Sequence, residues 1–268
     1  MIAGVIVALL ALLAALSWWW IAFDPWPLLS LDGLRSLADL TDQMWPPATS
    51  EKLLARAHAA LWQTLAISVA GSALAVGGAL LLAPLCCTAL SIRGPLVDAR
   101  RPRWIALCAH LVHHGARLLA NSLRTVPYLV LALLLVFMLG LGPFPGALAI
   151  ALHTAGVLAR LFAQAIDELD PAPLAALRDA GASPLQVYLF GVLPAARAQF
   201  VSLALYRWEV NVREAAILGF VGAGGLGFEL VRAIGEFNRP YLGTLLIAVM
   251  LLVLTCEGVS WALRRRLV

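Results

Sequence analysis

The chain has 268 residues, 62% hydrophobic and 13% charged, with mean hydropathy +0.90. A soluble domain carries about 45–50% apolar and roughly 25% charged residues, so a water-soluble fold of this size is excluded; lipid is the solvent that accepts such a surface. The net charge of +4 rests on arginines at the ends of apolar runs, which is a topology signal, not a nucleic-acid footprint.

In chain order, the first apolar run, Ile2 to Phe23, carries no charge and ends near Trp18–Trp20. It lacks a basic start and a small-residue cleavage site, so it reads as a membrane anchor with an interfacial aromatic belt, not as a leader. Residues 24–56 are polar and proline-rich, which predicts an extramembranous loop with one short surface helix after Ser50. A second span is expected over about Ala59–Ala83, with a ridge of small residues at Gly71, Ala75 and Ala79 that lets another helix approach closely. No Asp, Glu, Lys or Arg occurs from Thr125 to Ala159, and Gly140–Gly146 breaks that run. Spans three and four are therefore expected over Leu118–Leu139 and Gly146–Ala163. A fifth, over Ala198–Val221, carries four charges, and a sixth covers Tyr241–Trp261.

Of the nineteen Lys and Arg, Arg93, Arg100, Arg101, Arg103, Arg117, Arg160, Arg178, Arg197 and Arg264–Arg266 lie on one side of this six-span arrangement. Lys52, Arg35, Arg56, Arg232 and Arg239 lie on the other, and Arg124, Arg207 and Arg213 fall within spans. The richer side is expected to be the cytoplasm, with both termini on it. The fold class expected is all-α: a polytopic membrane protein of about six transmembrane helices.

The chain carries no nucleotide or metal chemistry of its own. Lys52, the sole lysine, does not follow a G-x-x-x-x-G, so there is no Walker A loop. Any ATP that drives the protein is bound by another subunit. Cys86, Cys87, Cys108 and Cys256 form no C-x-x-C pair and read as small apolar fillers. His113 and His114 are adjacent and cannot share a helix face, and His153 stands alone in a span, so no metal site is expected. No catalytic constellation of Ser, Cys, His or paired carboxylates stands out.

The most structured stretch outside the spans is Asp167–Pro194. Asp170 can cap a short helix with Pro171 at its first position. Gly181 ends that helix where a left-handed conformation is needed. Ser183, Pro184 and Gln186 then form an S-x-x-Q capping box opening a second helix, which Leu193-Pro194 is expected to stop. A loop coded this firmly suits a rigid docking element.

This segment resembles the EAA loop of ABC importer permeases, with Gly181 at the family's glycine and Leu193-Pro194 at its terminal pair. Two positions depart from the pattern. Ala175 stands where the family has glutamate, which puts a Glu-mediated salt bridge to an ATPase in doubt, and Gly191 stands at a hydrophobic position. Tyr206–Arg213, Leu218–Leu230, Asn121–Pro127 and Leu141–Phe144 are similar to stretches of phosphonate importer permeases, so the resemblance covers about Asn121–Arg265.

The apolar pattern and the arginine bias lead to an expected N-terminal anchor and periplasmic loop over residues 1–58, ahead of a permease domain over 59–268 with the coupling loop at about 164–194. The resemblance implies a homodimer of permease subunits in the lipid bilayer of the inner membrane, cytosolic ABC ATPase subunits that hold the ATP and Mg, and a periplasmic phosphonate-type binding protein. No cofactor and no nucleic acid is expected in this chain. The coupling residues expected are Ala175, Gly181, Ser183, Gln186, Leu193 and Pro194.

Gly222-x-Gly224-x-x-Gly227 matches a dinucleotide fingerprint but lies at the end of a span, without the strand that fingerprint requires. Gly222, Gly224, Gly225 and Gly227 are expected to form a close-packed, flexible turn lining the pathway. Arg207, Asn211 and Glu214 share one helical face, and Glu209 and Arg213 form an i, i+4 pair. Charges within a span are costly and face a bundle interior or a wet cavity. Paired structural charges and a path for an anion are both open for Arg207, Asn211, Arg213 and Glu214, with Arg207 expected to be the more loosely paired arginine. A permease for another small solute, such as methionine or an organic anion, and an ATP-independent secondary transporter are the alternative readings.

Overall fold

The computed structural model describes residues 2–21, 24, 26, 30–91 and 102–266. The basic residues Arg93, Arg100 and Arg101 lie outside the described residues. Two compact units divide at Pro47 and Ala48, ahead of the expected 58/59 boundary because the second span begins earlier than expected.

The first unit holds α1 (Ile2–Ile21) and α2 (Leu31–Met44). α1 is long and apolar enough to cross a membrane. α2 is amphipathic and starts at Ser30, whose Oγ accepts from Gly33 N at 3.1 Å. The short surface helix expected after Ser50 is therefore here instead. Glu51 begins a span.

The second unit is a helical bundle. Its elements are α3 (Glu51–Cys86), α4 (Thr88–Ser91), α5 (Arg103–Thr125), α6 (Tyr128–Leu139) and α7 (Pro143–Asp167). After a loop come α8 (Pro171–Asp179), α9 (Pro184–Gln186) and a π-helical turn, Val187–Val192, that runs directly into α10 (Leu193–Leu218). A 3-10 turn and a glycine stretch lead to α11 (Gly225–Gly235) and then α12 (Arg239–Arg265). The described residues are helical or in turns, with no strand among them.

α7 is the central helix, with Ile150, Leu158, Phe162 and Ile166 fully buried. Its closest neighbour is α3, and the expected ridge explains why. Ala75 and Ala79 are fully buried, and a Cβ on Gly71 would meet the Ala147 carbonyl and Ile150 at 2.9 Å. On the opposite side, a Cβ on Gly156 would meet the Ala120 carbonyl at 2.6 Å, so α5 approaches α7 equally closely. Small residues gain van der Waals contact between backbones where lipid provides no hydrophobic force between helices.

The third span departs from its expected form. Instead of one helix over Leu118–Leu139, α5 and α6 meet at a 90° bend. Pro127 disfavours the helical region for Val126, which sits at φ −74°, ψ 121°, and it supplies no N–H to continue the ladder. His153 Nδ1 donates to the Val126 carbonyl at 3.1 Å. At 12 residues α6 rises only about 18 Å, short of the ~30 Å a span requires. Five helices can cross alone, and six spans result if the bent pair counts as one.

Leu193-Pro194 also behaves differently from expectation: the helix does not stop there. Leu193 N donates to the Tyr188 carbonyl in π register. Pro194 then falls where π register returns to α, at the second position of α10, where a missing N–H is tolerated. The fifth span thus extends continuously over Pro184–Val221.

Candidate functional site

Three regions of the second unit hold the expected site residues. The first is the helical hairpin of α8 and α9. Asp170 Oδ1 accepts from Ala172 N at 3.0 Å, opening α8. Gly181 closes it at φ +91°, with its N–H on the Arg178 carbonyl at 2.8 Å and Ala182 N on Leu177 O at 3.2 Å. Ser183 and Gln186 form both halves of the capping box, Ser183 N to Gln186 Oε1 at 2.7 Å and Gln186 N to Ser183 Oγ at 3.4 Å.

Leu174 is buried, Ala175 half-buried, and Leu193 half-buried beneath the exposed Pro194. Gly191 has a packing role. A Cβ there would meet Leu174 and Leu177 side chains at 2.7 and 2.9 Å, so the glycine lets α8 close on the π turn. Tyr188, which sequence reasoning passed over, anchors the hairpin to the bundle through a 2.8 Å bond from its hydroxyl to the Leu80 carbonyl. Leu185, Leu189 and Phe190 stay exposed on the outer side of the hairpin.

The second region is a polar ladder inside the bundle. Asn211 is fully buried; its Nδ2 donates to Ser72 Oγ on α3 at 2.8 Å, and its Oδ1 accepts from Thr154 Oγ1 on α7 at 2.9 Å. Arg207 Nε reaches Thr154 Oγ1 at 3.4 Å, and its terminal nitrogen pairs with Glu214 Oε1 at 2.9 Å. The Arg207 and Glu214 side chains are only 13% and 12% exposed. Arg213 is 45% exposed; it pairs with Glu209 at 3.3 Å and also with Glu257 on α12. Glu209 in turn accepts from Arg264 at 2.9 Å. The expected order of the two arginines is therefore reversed: Arg207 is the buried, enclosed one. Low dielectric in the bundle makes that pairing necessary, since an unpaired charge there is costly.

The third region is the glycine turn. Gly222, Gly224 and Gly225 all have positive φ, at 87°, 79° and 72°. The turn sits on α3, which caps α11 from outside: Gly225 N donates to Gln63 Oε1 at 2.9 Å and Leu226 N to Thr64 Oγ1 at 2.8 Å. A Cβ on Gly227 would run into the backbone of Ala216 and Gly219. The turn also accepts Gly142 N, from the α6–α7 connection, at 3.1 Å. Outside the spans, Arg232 lies 2.8 Å from Glu236 and holds that carboxyl below its ordinary range.

The three regions do not form one pocket. The ladder and the glycine turn share α3 and α10, while the hairpin occupies the other end of α10. Gln63, Thr64, Ser72 and Thr154 were missed in the sequence. Their signal was available: polar residues inside an apolar span, on the faces of α3 and α7 that meet α10 and α11. Among the described residues no cluster of His, Cys, Asp and Glu could hold a metal ion.

A helical bundle of candidate membrane spans, interrupted by a self-capped helical hairpin and a packed glycine turn, defines a polytopic membrane protein. The model of the family described as binding-protein-dependent transport system inner membrane component matches residues 111–265, which include the hairpin, the ladder's α7 and α10 members and the glycine turn. The chain belongs to that family.

Among relatives, it is 38% identical to the phosphite transport system permease protein PtxC of Stutzerimonas stutzeri, over 88% of this chain and 79% of that one. It is 36% identical to the phosphate-import permease protein PhnE of Mycolicibacterium smegmatis, over 77% of this chain and 36% of that one. A solved chain of the MetNI methionine ABC transporter, in an inward-facing conformation, shares the fold at TM-score 0.67 and 23% identity, over 82% of this chain and all of that one.

Proposed function

We propose that this chain is one of two identical membrane subunits of an ABC importer for a phosphorus oxyanion: phosphonate, phosphite or phosphate. In this reading a periplasmic binding protein delivers the anion, and cytosolic ATPase subunits hydrolyse the ATP. The observation that carries the cargo is the 38% identity, over most of both chains, to a relative named for phosphite transport. The hairpin supports the coupling role. Its exposed Leu185, Leu189 and Phe190 form an apolar face at the end of the bundle opposite the glycine turn, suited to a cleft on an ATPase. Gly181, Ser183 and Gln186 set its shape, and Ala175, Leu193 and Pro194 set its packing and its exit into α10. The arginine distribution supports a cytoplasmic location for both termini and the hairpin, with the polar residues ahead of α3 outside.

Arg207, Asn211 and Glu214 serve as the internal frame of the pathway wall, and Gly222–Gly227 as its outer turn. The buried pairing of Arg207 favours the structural reading over direct contact with a passing anion.

Uptake tests the cargo. Cells lacking their own phosphorus-oxyanion uptake and expressing this chain with its ATPase and binding protein should accumulate phosphite, methylphosphonate or phosphate. Methionine uptake without any of these would overturn the assignment. For topology, Asp39→Cys should react with an impermeant reagent added from the periplasm and Arg100→Cys should not.

A further inference from the structure

A polar cavity of about 80 Å³ lies between α5 and α7, close to where α7 ends and the hairpin begins. It is lined by Arg117, Asn121, Arg160, Gln164, Asp167 and Thr88, among others. On the scale where a water needs ~10–15 Å³, this space holds several waters, or one tetrahedral oxyanion with part of its hydration.

The charges lining it do not cancel. Asp167 is occupied with backbone donors: its Oδ1 accepts from Thr88 N at 2.9 Å and Ala89 N at 2.8 Å, and its Oδ2 from Thr88 N at 3.2 Å. Among the described residues, Arg117 hydrogen-bonds to the His113 ring, at 3.4 Å, and Arg160 to Asn121 Oδ1, at 3.5 Å. Neither guanidinium has a carboxylate partner among the described residues. That Asn121 oxygen is already shared with Arg124 Nε at 3.2 Å. Two guanidinium groups, with the amides of Asn121 and Gln164, thus line one small cavity, which the exposed Arg117 and Gln164 leave open to solvent. Arg207 and Arg213, by contrast, each have a carboxylate partner, so this cavity brings together two guanidinium groups whose charge is not neutralised by a side chain.

We infer that the Arg117–Arg160 cavity is a binding site for a tetrahedral phosphorus oxyanion at the hairpin end of the bundle. Two forked guanidinium groups suit three or four phosphate-type oxygens better than a point charge does. Two sources share this chemistry: the free anion on its way through the protein, and the headgroup of an anionic lipid, since basic pockets between helices also hold those. The site rests on the proposed cargo only for the choice of probe. Uptake tests that reading, whereas equilibrium binding tests this one.

Full-length protein in phosphatidylcholine nanodiscs should bind phosphite saturably by titration calorimetry. Arg117→Gln with Arg160→Gln should weaken that binding at least tenfold. Gln164→Glu, which keeps both arginines and places a carboxylate on an exposed residue, should do the same while the protein elutes as an unchanged single species. If phosphite does not bind, but phosphatidylglycerol is retained in native mass spectrometry and lost in the same variants, the oxyanion is a lipid headgroup. Retention of neither ligand, or binding of either that all variants leave unchanged, would overturn the site.

Discussion

The hairpin of α8 and α9 and the bundle interior around α10 solve one problem in opposite ways. In the hairpin the caps come from within a few residues: Asp170 to Ala172, Gly181 to Arg178, Ser183 to Gln186. In the interior the partners come from far along the chain: α11 is capped by Gln63 and Thr64, and Asn211 is held by Ser72 and Thr154. The first kind of region can keep its shape while the elements around it move. The second kind is a product of how the helices pack, and it changes only if they do.

That contrast can be broken first at its strongest interior contact. Arg207→Gln strands Glu214 in the bundle, and breaking a buried ion pair costs about 3–5 kcal/mol. Thermal unfolding in detergent should drop sharply, and assembly with partners should fail along with transport. Intact assembly with slowed uptake would instead restore a direct role for Arg207 in the pathway.

Thr64→Val is the next test. It keeps the shape but removes the hydroxyl that accepts from Leu226, leaving a buried N–H unsatisfied at a cost of about 1–3 kcal/mol. Faster amide exchange is expected at Leu226 and its neighbours in α11. An unchanged exchange rate there would show that the turn does not depend on α3.

On the hairpin side, Gly181→Val meets no atom within 4 Å of its new Cβ. The cost is therefore the left-handed backbone alone, roughly 1–3 kcal/mol for a residue held there, and it should stay local. Insertion and bundle melting should persist while transport is lost. Gly181→Asn, which tolerates that conformation better, should recover part of it. Smallest is Ser183→Ala, about 1 kcal/mol from a lost cap. It should speed exchange over Pro184–Val192 and leave the melting temperature of the bundle unmoved.

The same contrast governs what could be read from the residues alone. The hairpin was legible because its determinants are neighbours: a cap, a proline at the first position and a glycine at the end each declare themselves within a few residues. The ridge Gly71, Ala75, Ala79 was legible through its spacing. The 90° bend at Val126–Pro127 was missed because an unbroken apolar run outweighed one proline. The exit through Leu193-Pro194 was misjudged because nothing local announces a π turn.

Arg207 was misjudged for a different reason. Spacing put Glu214 two turns away and made the pair look loose, whereas a long guanidinium lying along the helix reaches it at 2.9 Å. Glu257 and Arg264, which complete the second charge network, lie on another helix altogether and have no signature near Arg213.

The π turn has a mechanical consequence. Because the helix does not stop at Pro194, Pro184–Val221 is a single 38-residue rod, about 57 Å long at ~1.5 Å per residue. One end carries the hairpin and the other feeds the glycine turn. Pivoting such a rod by ~10° about its middle carries each end roughly 5 Å in opposite directions. A push on the hairpin therefore arrives at the glycine turn as a displacement of similar size and reversed sense, without any chain of side chains in between. Any bending of that rod at the π turn, Val187–Val192, would absorb part of this displacement before it reached the far end.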